Sequence, residues 1–518
     1  MNRNELLVRL TRAQKIWDFI VIGGGATGLG VAVDAASRGF DVLLLERGDF
    51  GCGTSSRSTK LVHGGVRYLQ QGNISLVLEA LKERGILRDN APHLVHDLPF
   101  VVPNYDWWEG PFYGIGLKIY DLLAGKHGFG ESHHLSKEET IQHLPTIETE
   151  GLLGGTLYYD GQFDDARLAV NLAQTIYEQG GTPLNYVSVD KLIKTDEMVT
   201  GVIATDRETG KTYPLSARAV INATGVFTDS ICVMDNPQAP PMIAPSQGIH
   251  IVLDESFLPG DSAIMVPHTD DGRVLFAIPW HHRTLVGATD TPVSEIAAEP
   301  LPLPEEIDFL LKHTARYLTR DPSPDDVLSV FAGLRPLVKS GDETNTAVIS
   351  RDHTLHISRS GLITIAGGKW TTYRKMAEDT IDQALLIARL DHRPCVTVDL
   401  QLHGYHLHPE KFDSLAHYGS DAPAISDLLN SQTEWEQPIH PDFDICIGEI
   451  IWAVRHEMAR TVEDFLSRRT RMLLLDARAS VEMATTVAKI MAEELKHSEE
   501  WVDEQVTQFQ KLAKNYVV

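Results

Sequence analysis

Cysteine is scarce in this chain, with four in 518 residues. Cys52, Cys232, Cys395 and Cys446 include no CxxC pair, which argues against a zinc ribbon or a dithiol redox motif. So few thiols in so long a chain fit a reducing compartment. No window approaches the ~20 apolar residues of a membrane-spanning helix. The N-terminal segment MNRNELLVRLTRAQKIWDF has neither a long apolar core nor a small-residue cleavage site, so no secretory signal is expected. Positive charge is also short: 46 Lys and Arg face 71 Asp and Glu, a formal net charge of −25. That balance disfavours a general nucleic-acid binder, which needs a basic face, but allows a local basic pocket for a small anion. There is no internal repeat and no low-complexity tract. No cluster with metal-ligand spacing stands out, and no metal is expected.

What is present begins with WDFIVI (17–22), a short apolar run read as a buried strand. A glycine turn follows, then a segment with helical spacing that stops near Gly39, then the strand DVLLLE (41–46). This is one βαβ unit. Gly23, Gly25 and Gly28 spell GxGxxG at the first strand–helix junction. In such a motif the first glycine permits the turn, the second admits a pyrophosphate, and the third lets helix and strand pack closely. The helix N-terminus then favours the phosphates. Glu46 ends the second strand, close to the ~20-residue spacing at which an acid meets an adenosine ribose. A strand ending in ATG (INATGVFTD, 221–229) and another running into Gly367 and Gly368 (ITIAGGKWTTYR, 363–374) favour FAD over NAD.

In that order these segments resemble the flavin-oxidoreductase group that includes D-amino-acid oxidase. TSSRSTKLVHGGVRYLQQGN (54–73), AGLRPLV (332–338), AGGKWTTYRKMAED (366–379) and the C-terminal IIWAVRHEMARTVEDFLSRRTRMLLLDARAS narrow the resemblance to the FAD-dependent glycerol-3-phosphate dehydrogenases. The implied fold is α/β (α+β): a Rossmann-like FAD-binding domain, an interleaved mixed-sheet substrate domain and a C-terminal helical cap. The expected division is 1–395 for the first two, with the substrate part roughly 90–200 and 240–345, and 396–518 for the cap. The implied reaction is oxidation of glycerol 3-phosphate at C2 to dihydroxyacetone phosphate, with hydride passing to FAD. Electrons then go to membrane quinone in the dehydrogenases, or to oxygen in the related oxidases.

The resemblance places Arg67, Tyr68, Arg335 and Lys369 around the substrate or its phosphate. Guanidinium forks and an ammonium suit phosphate oxygens, which agrees with that placement. A base must take the alcohol proton, and histidine is the usual choice. His63 in LVHGG and His250 in QGIHIVL are the candidates, and the sequence does not separate them. Thr54, Ser55, Ser58, Ala223, Gly225, Gly367, Gly368, Lys369 and Thr371 join the GxGxxG glycines and Glu46 as expected cofactor contacts. Cys52 reads as a simple buried cysteine, and GATDTP (287–292) is assigned no role. The aromatic-rich segment 107–125, with Lys118, is a candidate amphipathic surface for peripheral membrane contact. The expected location is cytoplasmic, on the inner face of the cell membrane, with a homodimer as one possible assembly. Oxygen as acceptor, an amine or amino-acid oxidase of the same fold, and a non-catalytic flavoprotein are the alternatives. A carboxylate clamp in place of a phosphate cradle would mark the amino-acid reading.

Overall fold

The computed structural model describes residues 1–11, 15–65, 73–106, 109–266, 269–270, 274–339 and 353–518. WDFIVI and DVLLLE form parallel neighbouring strands, Ile16–Ile22 and Val42–Leu45. They lie in an eight-stranded sheet ordered His353–Ile357, Ile363–Gly367, Thr212–Asn222, Ile16–Ile22, Val42–Leu45, Thr182–Leu184. Helix Ala26–Ser37 links the first two of these in sequence and packs between helices Tyr373–Ala388 and Asp165–Glu178. The strands are near-continuous apolar runs because they are covered on both faces. Phe19, Ile20, Val21, Leu43, Leu44, Val220, Ile221 and Ile363 are fully buried.

A second, ten-stranded mixed sheet contains Leu61–Val62, Val95–Asn104, Gly154–Phe163, Ile243–Asp254, Ala263–Val266, Leu275–Trp280, Arg283–Gly287 and Ser329–Val338 among its strands. One expectation needs correction. The expected substrate part runs to residue 200, yet from residue 182 on the chain extends the first sheet. Thr182–Leu184 lies parallel to Val42–Leu45, and the hairpin Val187–Asp206 pairs antiparallel with Thr212–Asn222. The hairpin reads as half-exposed alternating sequence, and only its pairing partner decides which sheet it joins. Leu61–Val62 makes the opposite move, from the first βαβ region into the second sheet.

The C-terminal helices Ile447–His456, Met472–Leu475, Ala477–Leu495 and Glu499–Ala513 share the core of the second sheet, except that Trp452 packs in a small cluster with Leu415, Tyr418 and Ile425. Leu473, Met483, Val487 and Phe509 pack in one cluster with Phe100, Tyr158 and Phe331 of the second sheet. A buried ionic network ties them to the first sheet as well. Asp49, just past the Glu46 strand, accepts from Arg469 at 2.6 Å and Arg468 at 2.7 Å. Arg167 pairs with Glu457 in the same region. Burial alone would raise the Asp49 pKa, but the two guanidinium groups overcome that and hold it at about 2. A carboxyl held below its unfolded value adds stability above that value and loses it as pH falls. The expected acid-sensitive window therefore runs from about pH 4 down to about pH 2. Asp49→Ala removes the carboxylate that two buried arginines share, leaving Arg468 with Asp464 and Glu463 and Arg469 with Glu457, and should cost about 3 kcal/mol in denaturant unfolding at pH 7. A loss below about 1 kcal/mol would mean that Asp464, Glu463 and Glu457 suffice to hold these arginines.

Candidate active site

Strands Ile16–Ile22, Thr212–Asn222 and Ile363–Gly367 run parallel and end toward one edge of the first sheet, where Ile22 pairs with Asn222 and Asn222 with Thr364. In open α/β sheets ligands bind outside this edge. Gly23 has φ +108°, and a Cβ there would lie 2.6 Å from Ala223 O. Gly25 is the N-cap of helix Ala26–Ser37 and brings no side chain to the helix end. The amide of Ala26 donates to Ser55 Oγ at 2.9 Å. Glu46 is pinned by two backbone amides, Gly24 N–H to Oε2 and Gly48 N–H to Oε1, both 2.7 Å. Burial raises its pKa, and the two amides act against that rise. Gly225 (φ +57°), Gly367 (+78°) and Gly368 (+74°) turn the other two strand ends. After them Thr371 and Thr372 are buried in a short 3-10 turn. Trp370 donates its indole N–H to Ser55 O at 2.8 Å, closing the ring of loops. Glycine turns, a helix N-terminus opened by a glycine and a fixed carboxylate together suit a dinucleotide.

The loop Thr54–Lys60 carries this edge across to the second sheet. Thr54 Oγ donates to Leu334 O at 2.6 Å and Arg57 to Ala332 O at 3.2 Å. Ser58 Oγ donates to Asp165 Oδ2 at 2.7 Å, so this hydroxyl is used in holding the loop. Lys60 is fully buried and reaches both Asp165 oxygens at 2.8 and 2.9 Å. Burial pulls Lys60 down and Asp165 up, while the doubled contact keeps them paired. Thr59, between them, meets His250: Oγ lies 2.9 Å from Nε2.

His250 and Arg335 share a face. Strands Ile243–Asp254 and Ser329–Val338 are antiparallel with His250 opposite Phe331, Gly248 opposite Gly333 and Ser246 opposite Arg335. The period of two puts His250, Gly248, Phe331, Gly333 and Arg335 on one side. Phe331 stacks on the His250 ring at 5.0 Å. Gly248 makes room for the guanidinium, since a Cβ there would lie 2.4 Å from Arg335 Nη2, and Gly333 makes room for Arg57, whose Cβ lies 3.1 Å from its Cβ position. The guanidinium is held from behind by Thr289 O at 2.8 Å, and by Gln247 O and Asp290 Oδ1 at 3.3 Å each. It remains a quarter exposed. Burial first, then the charges of Lys60 and Arg335, hold the His250 pKa well below its ordinary value, so the ring is neutral at pH 7.

Lys369 is half-buried and precedes the 3-10 turn at the end of strand Ile363–Gly367. His63 is half-buried beside Gly64, whose amide donates to Tyr120 Oη at 2.8 Å. Arg67 and Tyr68 lie outside the described residues. No cluster of His, Cys, Asp and Glu among the described residues could hold a metal. Cys52 lies within 3.9 Å of Glu46, and burial pushes its thiol up, which fits an inert side chain. Thr59, Lys60 and Asp165 escaped the sequence reading. Thr59 and Lys60 sit inside the quoted loop motif, but Asp165 is distant in sequence and only the fold brings it to them.

The sequence model described as FAD dependent oxidoreductase matches residues 18–374, and that of the C-terminal domain of alpha-glycerophosphate oxidase matches 359–502. The mitochondrial glycerol-3-phosphate dehydrogenase of Schizosaccharomyces pombe is 37% identical, over 100% of this chain and 89% of its own length. That of Rattus norvegicus is 41% identical over 93% and 71%. The solved glycerol-3-phosphate dehydrogenase from Bacillus halodurans, complexed with FAD, superposes with TM-score 0.82 at 30% identity, covering 100% of this chain and 98% of that one. With the dinucleotide edge and the Arg335–His250 face in place, these likenesses put the chain in the FAD-dependent oxidoreductase family, among the glycerol-3-phosphate dehydrogenases.

Proposed function

We propose that this protein oxidises sn-glycerol 3-phosphate to dihydroxyacetone phosphate and passes the electrons to membrane quinone. The observation that carries the reading is the sheet face on which a neutral, buried His250 and a braced, partly exposed Arg335 stand together. FAD, held by the glycine turns at Gly23–Gly28, Gly225 and Gly367–Gly368 and by Glu46, supplies the two-electron hydride acceptor. Arg335, with Lys369 and Arg67, binds the phosphate and fixes the orientation of C2. His250, neutral at working pH, takes the C2 hydroxyl proton, with His63 as the other candidate. The loop Thr54–Lys60 carries both the cofactor edge and a contact to His250, so it sets the distance between the two sites.

The test is anaerobic mixing of the FAD-loaded protein with glycerol 3-phosphate. Rapid bleaching of the flavin, absent with plain glycerol, is expected. A flavin that stays oxidised ends the substrate assignment. Peroxide formation in air at the catalytic rate would favour the oxygen-using reading over quinone.

Among the described residues no helix is long and apolar enough to cross a membrane. Helix Glu109–Ala124 offers a surface instead. Tyr113, Leu117 and Tyr120 are buried on its inner side, whereas Ile115 is 66% and Leu122 80% exposed, with Phe112 and Ile119 beside them. An exposed apolar stripe of this kind suits shallow insertion at a lipid interface. Each of these side chains contributes roughly 1.5–3 kcal/mol when buried. The double substitution Ile115→Asp, Leu122→Asp should therefore lower co-sedimentation with lipid vesicles at least about tenfold. Flavin reduction in solution should be unaltered. Unchanged sedimentation would remove this helix from the membrane contact.

A further inference from the structure

We infer that Glu306 is a positioning residue for Arg335, acting through Gln247 and through the segment 287–292, GATDTP. The inference rests on the function proposed above, in which Arg335 meets the substrate phosphate. A quarter of the Arg335 side chain is exposed, so an incoming anion can reach it. Its Nη2 donates to Thr289 O at 2.8 Å, and its Nη1 to Gln247 O and Asp290 Oδ1 at 3.3 Å each. Two of these three acceptors are main-chain carbonyls. The guanidinium is therefore only as well placed as residues 247 and 289.

Glu306 holds both. It is 3% exposed and stands in the first turn of helix Pro304–Ala315. Gln247 points to the opposite side of its strand from Gly248 and His250. There its Nε2 donates to Glu306 Oε2 at 2.8 Å and to Leu301 O at 2.9 Å. Thr289 Oγ donates to Glu306 Oε1 at 2.8 Å and accepts the Ile249 N–H at 3.0 Å. Thr291 Oγ donates to the same Oε1 at 2.6 Å, and Leu303 N–H reaches Oε2 at 3.1 Å. Four donors thus converge on one carboxylate, two on each oxygen. A carboxylate presents acceptors only, whereas the amide of glutamine would turn a donor toward two of them. Donors left unmet in such a buried place are unfavourable, so Gln247 and Thr289 are fixed before any ligand arrives. Asp290 also accepts from Ser246 Oγ, which holds the third acceptor independently of Glu306. Charge and position act here with opposite signs. A carboxylate near a phosphate site repels the anion, so removing its charge alone would tighten binding, whereas removing the brace loosens it. In sequence Glu306 reads as an ordinary first-turn acid, 59 positions from Gln247.

The experiment is calorimetric titration of the product, dihydroxyacetone phosphate, into the oxidised, FAD-loaded protein. Wild type, Glu306→Gln, Glu306→Leu, Arg335→Ala and the double variant Glu306→Gln, Arg335→Ala are compared, with stopped-flow flavin reduction by glycerol 3-phosphate alongside. The dissociation constant should rise about 3- to 10-fold in Glu306→Gln, the size expected when a loosened arginine must be ordered on binding. Glu306→Leu should lose at least as much. At saturating substrate the phosphate itself holds the guanidinium, so the limiting rate of flavin reduction should stay within about threefold. FAD content should not change, because Glu306 packs on the second sheet and the cofactor edge is on the first. In the Arg335→Ala background Glu306→Gln should cost nothing further, since the two act as one unit. With Arg335→Ala weakened, a Glu306→Gln protein that binds as tightly as wild type or tighter would overturn the inference. So would a loss that adds to that of Arg335→Ala, or one confined to the limiting rate. If Glu306→Leu does not fold, Glu306→Gln, which keeps the shape of the side chain, carries the test. An Arg335→Ala protein that binds the product as tightly as wild type is a different result, and it removes the phosphate reading together with the inference.

Discussion

Replacing Arg335 with alanine should lower kcat/KM for glycerol 3-phosphate by about 30- to 5,000-fold, equivalent to roughly 2–5 kcal/mol for losing one partner of a desolvated charge pair. The guanidinium is already braced, by Thr289 O, Gln247 O and Asp290, so little side-chain ordering remains to be done when the phosphate arrives. Truncation leaves the phosphate without the guanidinium that meets it. Arg335→Lys keeps the charge but loses the fork, and an intermediate loss is expected. FAD content should be unchanged, because Arg335 stands on the second sheet and the cofactor edge on the first. Plain glycerol gives the decisive control. It has no phosphate, so its low reactivity should barely differ between wild type and Arg335→Ala. A second effect has a defined sign. Arg335 is one of the charges that depress His250, so its removal should let the histidine titrate closer to its ordinary value. The acid limb of the rate profile should then move to higher pH. An Arg335→Ala enzyme with unchanged kcat/KM would show that the phosphate sits elsewhere.

The glycine turns and fixed acid of the proposed cofactor edge were legible in the sequence because their determinants are local. A glycine that must adopt φ +108°, a glycine that must admit a backbone carbonyl and an acid at the end of the next strand all fall within one βαβ unit. The second sheet was legible in outline only. Apolar runs announce its strands, yet nothing in 187–206 says which sheet that hairpin will join, since register and partner are long-range choices. The same limit explains the substrate side. Family-like motifs pointed to Arg335 and Lys369 singly. The pairing of Arg335 with His250 across two glycines is a property of antiparallel register, and Lys60–Asp165 is a contact between a loop and a distant helix. The C-terminal helices were visible as helices. Their shared core with the second sheet was not, because a helix's apolar face does not name its partner.

Gly28→Ala should give a protein that purifies without yellow colour. A methyl at this position would lie 1.9 Å from Gly23 O and 3.0 Å from Gly23 C. Both are backbone atoms of the turn that must cradle the pyrophosphate, so no side chain can swing aside. Helix Ala26–Ser37 would have to lift from the strand it packs on, at roughly 1–3 kcal/mol or more for overpacking. The stability cost alone is survivable, but the cofactor depends on geometry as well. Lifting the helix moves its N-terminal amides away from the phosphates and also moves Ala26 N from Ser55 Oγ, loosening the loop that reaches His250. One methyl should thus disturb both halves of the site. The neighbouring glycines predict a graded series. Gly53 has nothing within 4 Å of its Cβ position, so Gly53→Ala should keep its FAD. At Gly25 the obstacle is Ser55 Oγ at 3.1 Å, a side-chain atom with some room to give, and partial loading is expected. The flavin-to-protein absorbance ratio should rank wild type and Gly53→Ala above Gly25→Ala, and Gly25→Ala above Gly28→Ala. Added FAD should raise the melting temperature of the first three by mass action but leave Gly28→Ala unmoved. A yellow, FAD-stabilised Gly28→Ala protein would mean that the pyrophosphate does not rest on this turn, and the cofactor site would have to be sought away from the Gly23–Gly28 loop.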